Sequence, residues 1–255
     1  MNAAPHPLPL DCPAYLRVIQ REAEAFAQTL GAGSLDRRVP MSPEWTLADL
    51  TVHLGLVHRW ATRIVTSGEQ ADRPDPPEGA DLPAWFEQGA RALLDALSAA
   101  EPEAGCWGFG PEQRMAFWFR RQAQETAVHR HDAQEAAGPP EPIEAVLAAD
   151  GVDELLAVML PRAAARFGEP PQLRAALRLH ATDTGHSWLL GSSSGGHTPE
   201  VSLFDGAALD ASARLSGTAE GLLLSLWRRI EPAAALTVDG DPGVIEDLWG
   251  GRLTT

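Results

Sequence analysis

The hydrophobic rhythm of this chain is helical through its first half and mixed in its second, and that contrast limits the folds open to it. Up to residue 137 apolar residues recur every three or four positions, the spacing of helices that bury one face. Gly138-Pro139-Pro140-Glu141-Pro142 then interrupts any regular element. One more amphipathic helix is expected from about Ala145 to Arg166, after which the period shortens towards two, as in strands.

Four helices are expected before the break. Tyr15 to Leu30 forms the first, with Gly31 and Gly33 as stops. The second starts at Thr46, a cap with Asp49 three residues on, and carries Leu50, His53, Val57, Trp60 and Ile64 on one inward face until Gly68. The third runs from about Leu82 to Ala99, and the fourth from Pro111 to Ala137. Such helices suggest a bundle. Strands are expected at Leu173 to Ala181, Ser187 to Leu190, Ala211 to Leu215 and Leu236 to Val238, the last before a turn at Asp239-Gly240-Asp241. Thr218 caps a helix through Ile230, and Pro242 starts a last one, Gly243 to Trp249. The resulting expectation is an α+β protein: a helical domain over 1–143, then a smaller domain over 144–255 with a mainly antiparallel sheet.

Charge narrows the partners. The basic residues number 20, all arginine, against 35 acids, a net charge of -15, which suits neither nucleic acid nor an anionic membrane. No apolar run reaches the length of a membrane span, and the first residues carry no export signal. Cys12 and Cys106 lie far apart with no second cysteine near either, which argues against a disulfide framework or a zinc ribbon. A cytoplasmic, soluble protein is expected.

The fourth helix holds the oddest pattern. Its stripe reads Met115, Trp118, Gln122, Glu125, His129, Asp132, Ala136, polar in the middle where a bundle core normally takes Leu or Ile. Glu125 and His129, four residues apart, sit one above the other and can bind one ion. His53 on the second helix can face the same interior. Three protein ligands leave a coordination position open, the pattern of catalytic zinc. The plainer alternative is an exposed Glu125–His129 pair with His53 a satisfied core histidine. Arg121, one turn before Glu125, and Arg59 and Arg63, following His53, are candidate partners for an anionic substrate, or else solvated or salt-bridged arginines. Asp132 can accept the second ring N–H of His129, or pair with Arg130.

The runs Trp45-Thr46-Leu47-Ala48-Asp49-Leu50-Thr51-Val52-His53-Leu54 and Glu125-Thr126-Ala127-Val128-His129-Arg130-His131-Asp132-Ala133 resemble the mycothiol-dependent maleylpyruvate isomerase family, whose first domain is a DinB-like four-helix bundle. Thr182-Asp183-Thr184-Gly185, Ser187-Trp188, Gly217-Thr218-Ala219-Glu220-Gly221-Leu222-Leu223-Leu224 and Gly240-Asp241-Pro242 are similar to its sterol-carrier-like second domain. The resemblance spans nearly the whole chain. It implies a divalent metal, usually zinc, held by His53, Glu125 and His129, with mycothiol as thiol co-substrate. In that family's chemistry the thiolate adds to the double bond of maleylpyruvate, rotation follows about the new single bond, and the thiolate leaves to give fumarylpyruvate. One departure is His131, where the family commonly has tryptophan; two residues from His129, it points about 160° away on a helix and bears on packing.

Two rival readings accompany this one. A mycothiol S-transferase conjugating electrophiles would consume the thiol into its product. A non-catalytic protein holding an apolar ligand in its second domain would show no dependence on His53, Glu125 or His129. Other histidines, His6, His58, His180, His186 and His197, lack partners at metal spacing and are read as loop or surface residues; Cys106 reads as a buried thiol. Arg214, Arg228 and Arg229 are the arginines of the second domain to test.

Overall fold

A computed structural model describes residues 8–32, 35–205 and 210–254. The chain divides into two compact units, Leu10–Ile143 and the segment from Glu144 onward.

The first unit is built from α1 (Cys12–Ala32), a short hairpin of β1 (Arg38–Val39) and β2 (Ser42–Thr46), then α2 (Leu47–Ser67), α3 (Leu82–Ala99) and α4 (Ala116–Ala137). α1 packs against α3 and α4, and so does α2, which closes the helices into a bundle. The hairpin was not foreseen, its strands being too short to show a period. It feeds straight into the α2 cap: Thr46 Oγ1 accepts from Asp49 N–H, and Asp49 Oδ2 accepts from Thr46 N–H. At the other end Gly68 takes a left-handed conformation with φ 77°, and its N–H caps the Ile64 carbonyl. Gly31 lies within α1 rather than beyond it, and Gly33 falls outside the described residues.

Phe26, Leu50, Leu54, Phe86 and Ala133 meet in the bundle core, where the Phe26 and Phe86 rings lie 4.5 Å apart. α4 is covered on nearly every side, so its buried set includes Arg121, Gln122, Gln124, Thr126, Arg130, His131 and Asp132. It starts at Ala116, not Pro111, because Gln113 is spent on the preceding loop, where its amide donates to the carbonyls of Gly108 and Gly110.

In the second unit α5 (Ala145–Glu154) passes through a π turn (Leu155–Met159) into α6 (Leu160–Phe167). Pro161 accounts for that turn. It has no N–H to give the carbonyl of Ala157, and its ring would crowd that carbonyl in a regular helix. The strands β3 (Leu177–Ala181), β4 (His186–Leu190), β5 (Val201–Asp205), β6 (Ala213–Gly217) and β7 (Thr237–Gly240) form one sheet in the order β5-β4-β3-β6-β7. Only the β3–β6 pair is parallel, so the sheet is mainly antiparallel. Leu177, Leu179, Ala181, Ala213 and Leu215 alternate inward. α7 (Ala219–Leu226), capped by Thr218, packs on β3 and β6, and α9 (Pro242–Gly250) on β6 and β7.

The differences from expectation are local. α7 stops at Leu226 rather than Ile230, and the short α8 (Pro232–Ala235) follows. β5 was not foreseen. Asp239 and Gly240 finish β7 instead of turning, while Asp241 caps α9 by accepting from Gly243 N–H. Among the described residues no helix is long and apolar enough to cross a membrane.

Candidate metal centre

Two neighbouring helices bring three donor groups to one point. His53 Nε2 lies 3.5 Å, and His129 Nε2 3.3 Å, from the same Glu125 Oε1. Each of the three residues offers one ligand atom, and all three atoms lie within 4.8 Å of one another. For a tetrahedral ion with bonds of about 2.0–2.1 Å the ligand-to-ligand edge is about 3.3–3.4 Å. Both edges at Glu125 match it, and two imidazole nitrogens with one carboxylate oxygen form a donor set that zinc accepts. The residues present therefore fit a divalent metal of that kind. The His53 and His129 side chains retain 28% and 14% of their exposure, so the centre is not sealed from solvent. The Trp45 ring covers one side, 5.1 Å from the His53 ring.

Other groups hold these three side chains in place. Arg121, 3% exposed, donates to Glu125 Oε2 at 3.0 Å, which leaves Oε1 to face the histidines. Asp132 Oδ2, on a residue 2% exposed, lies 3.0 Å from His129 Nδ1 and fixes the ring with Nε2 turned to the centre. Burial alone would raise the Glu125 carboxyl, but hydrogen bonds to His129 and His53 and the charges of His129 and Arg121 outweigh it and hold it well below the usual carboxylate range. Burial likewise opposes charge on His129. Its contacts with Asp132 and Glu125 win, pushing it up to about 9.

This makes the metal-free protein pH-sensitive. A histidine raised from 6.5 to about 9 contributes stability that is complete below pH 6.5 and lost as pH rises through 9. The full difference is about 3 kcal/mol. Urea unfolding of chelator-treated protein should show a loss of that order between pH 6.5 and 9.5, and a flat profile would remove His129 from its ion pair.

The structure distributes the remaining candidates as follows. Arg121 reaches the cluster, but through the Glu125 carboxylate. Arg59 is committed elsewhere: its guanidinium lies 3.8 Å over the Trp85 ring and donates to the carbonyls of Gly55 and Trp85. Arg63 is exposed and reaches the Asp72 carbonyl. Asp132 joins His129, while Arg130 pairs with Glu22. His131 is buried, 5% exposed. Burial pushes the Cys106 thiol up, which makes it a poor nucleophile. In the second unit Arg214 pairs with Asp239, Arg228 donates to the carbonyls of Trp249 and Gly251, and Arg229 to that of Trp227.

The placement of two histidines needs correction. His186 is buried in β4, and His58 is buried completely, its Nε2 3.0 Å from Thr126 Oγ1 and its pKa pushed down to about 3 by burial. A signal existed for His58, since it continues the Leu50–Leu54 row by another four residues. His180 is half-buried against Ser187, His197 is exposed, and His6 lies outside the described residues.

Comparisons with known proteins agree with this architecture. Residues 16–134 match the model of the mycothiol maleylpyruvate isomerase N-terminal domain, and residues 146–247 that of the MDMPI C-terminal domain. A crystal structure of the mycothiol-dependent maleylpyruvate isomerase superposes with TM-score 0.59 at 12% identity, covering 91% of this chain and 95% of that one. A histidine-to-alanine mutant of that isomerase gives TM-score 0.61 at 11% identity over the same shares, 91% and 95%. No curated protein sequence matches. With both family domains matched in order along nearly its whole length, the chain belongs to the mycothiol maleylpyruvate isomerase family.

Proposed function

We propose that the protein is a zinc- and mycothiol-dependent enzyme that isomerises maleylpyruvate or a closely related unsaturated anion. One observation carries this reading: His53 and His129 bring Nε2 to 3.5 and 3.3 Å, respectively, from one oxygen of Glu125, with all three donor atoms within 4.8 Å of one another and open to solvent. The three residues would hold the ion. When bound, it supplies a Lewis acid that keeps a thiol sulfur as thiolate at neutral pH.

The chain's own residues prepare the site for this. Arg121 anchors one carboxylate oxygen of Glu125, and Asp132 directs Nε2 of His129 at the centre. In metal-free protein both ring N–H groups of a protonated His129 find carboxylates, so loading must displace a proton from Nε2. The protein's own thiols are ill placed to replace a small-molecule thiol: Cys106 is buried with a raised pKa, and burial also pushes the Cys12 thiol up. Cytoplasmic location follows as part of the proposal, since reduced mycothiol is needed.

The test is an assay of zinc-loaded protein with maleylpyruvate and mycothiol, the products followed by mass and proton NMR. Fumarylpyruvate formed with the thiol recovered is the expected result. A product that retains the thiol would make the protein a transferase, and turnover unaffected by omitting both metal and thiol would overturn the proposal.

A further inference from the structure

We propose that His58 and Thr126 are positioning residues, whose hydrogen bond sets the register of α2 against α4 that brings His53 to Glu125 and His129. This rests on the metal reading above and extends it to residues that would touch neither metal nor substrate.

The ligands come from two helices, one from α2 and two from α4, so the centre depends on how those helices slide against each other. Apolar contacts between them are non-directional and tolerate small shifts. The His58–Thr126 bond is directional, fully buried and 3.0 Å long. Thr126 follows Glu125 directly, and His58 lies five residues beyond His53 on the same helix. A slide that misplaces His53 therefore stretches this bond as well.

The chemistry of the pair is one-sided. Thr126 Oγ1 donates to the Gln122 carbonyl at 2.7 Å, so its remaining role is to accept, and His58 must carry its proton on Nε2. Nδ1 is then an acceptor, buried, with no donor in reach among the described residues. A buried acceptor without a donor costs stability, and a leucine of similar size would remove that cost. Stability alone thus disfavours histidine here, whereas a fixed register beside Glu125 favours it.

The experiment compares zinc affinity, by competition with a chelating indicator, with unfolding stability in wild type, His58→Leu, Thr126→Val, Thr126→Ser and Leu93→Ala. Leu93 is a buried α3 residue and serves as the control for general destabilisation. Expected for His58→Leu is stability equal to or above wild type with zinc affinity down roughly 10–100-fold, as for an outer partner of a ligand. Thr126→Val should also lose affinity, Thr126→Ser should restore it, and Leu93→Ala should lose stability alone. If His58→Leu does not fold, the Thr126 pair decides. Affinity within about threefold of wild type in His58→Leu, or in Thr126→Val where that pair decides, overturns the positioning role; wild type that takes up no zinc overturns the metal reading instead.

Discussion

His53→Ala should strip the metal from the protein and leave its stability close to that of metal-free wild type. Among the three donors His53 is the one whose removal disturbs least, because its side chain is 28% exposed and makes its polar contact with the centre alone. Glu125→Gln would instead weaken the anchor of Arg121, a guanidinium only 3% exposed. His129→Ala would leave Asp132 facing an emptied position at 2% exposure. Both of those changes mix metal loss with the cost of weakening one contact of a buried charge. Loss of one donor in three should exceed the roughly 10–100-fold of an outer partner in affinity. Thiol-dependent turnover should fall with it. Asp132→Asn belongs to the milder class, about 10–100-fold. Elemental analysis of protein purified without a polyhistidine tag, beside urea unfolding with and without chelator, separates these outcomes. Full metal content in His53→Ala would sink the three-ligand centre.

The α4 stripe was legible because polar residues at bundle-core positions contradict the pattern around them, and only a shared interior partner resolves the contradiction. His53 was legible more narrowly, as a polar residue on an apolar row. The buried arc of α2 is wider than that row, including Leu54, His58, Ala61 and Val65 beside Leu50, Val57 and Ile64, and His53 sits at its margin. Taking one row for the whole face hid His58. Arg59 was misjudged for another reason: a long side chain goes where its tertiary partners are, and Trp85 comes 26 residues later on α3. Two mid-helix glycines marked that partnership. A Cβ on Gly55 would lie 2.2 Å from the Trp85 ring, and one on Gly89 would lie 2.1 Å from the Arg59 guanidinium. In the sequence they read only as weak helix formers. The order of elements in the second unit followed from the shift in period, but β5 did not. An outer strand has one neighbour, and Leu203 is 41% exposed, so the in-out contrast that betrays a strand is blurred there.

The joint between α1 and α4 carries the other large expected effect. Arg130 Nε donates to Glu22 Oε2 at 2.6 Å, with the two side chains only 2% and 5% exposed. Arg130 also donates to Gln134 Oε1 and to the carbonyls of Glu141 and Pro142, tying the end of the bundle to its closing loop. Glu22 has a second partner in Arg21, but that guanidinium is half exposed and contributes little. Glu22→Ala therefore leaves a buried guanidinium without its carboxylate and should destabilise the helical unit by about 3–5 kcal/mol. Removing both charges removes the penalty: Glu22→Leu with Arg130→Met should recover most of the loss, because the pair itself gains little over apolar residues of similar volume. The carbonyls that Arg130 served would then set what remains, about 1–3 kcal/mol for each acceptor left buried. A double-mutant cycle by urea unfolding tests this. Additive losses would mean that Arg130 is held mainly by Gln134 and the loop carbonyls, with Glu22 a bystander. Zinc affinity gives the complementary readout. α1 supplies no ligand, so the double variant should bind metal within about threefold of wild type, while a larger loss would show that the Arg130 turn also holds its neighbour His129 in place.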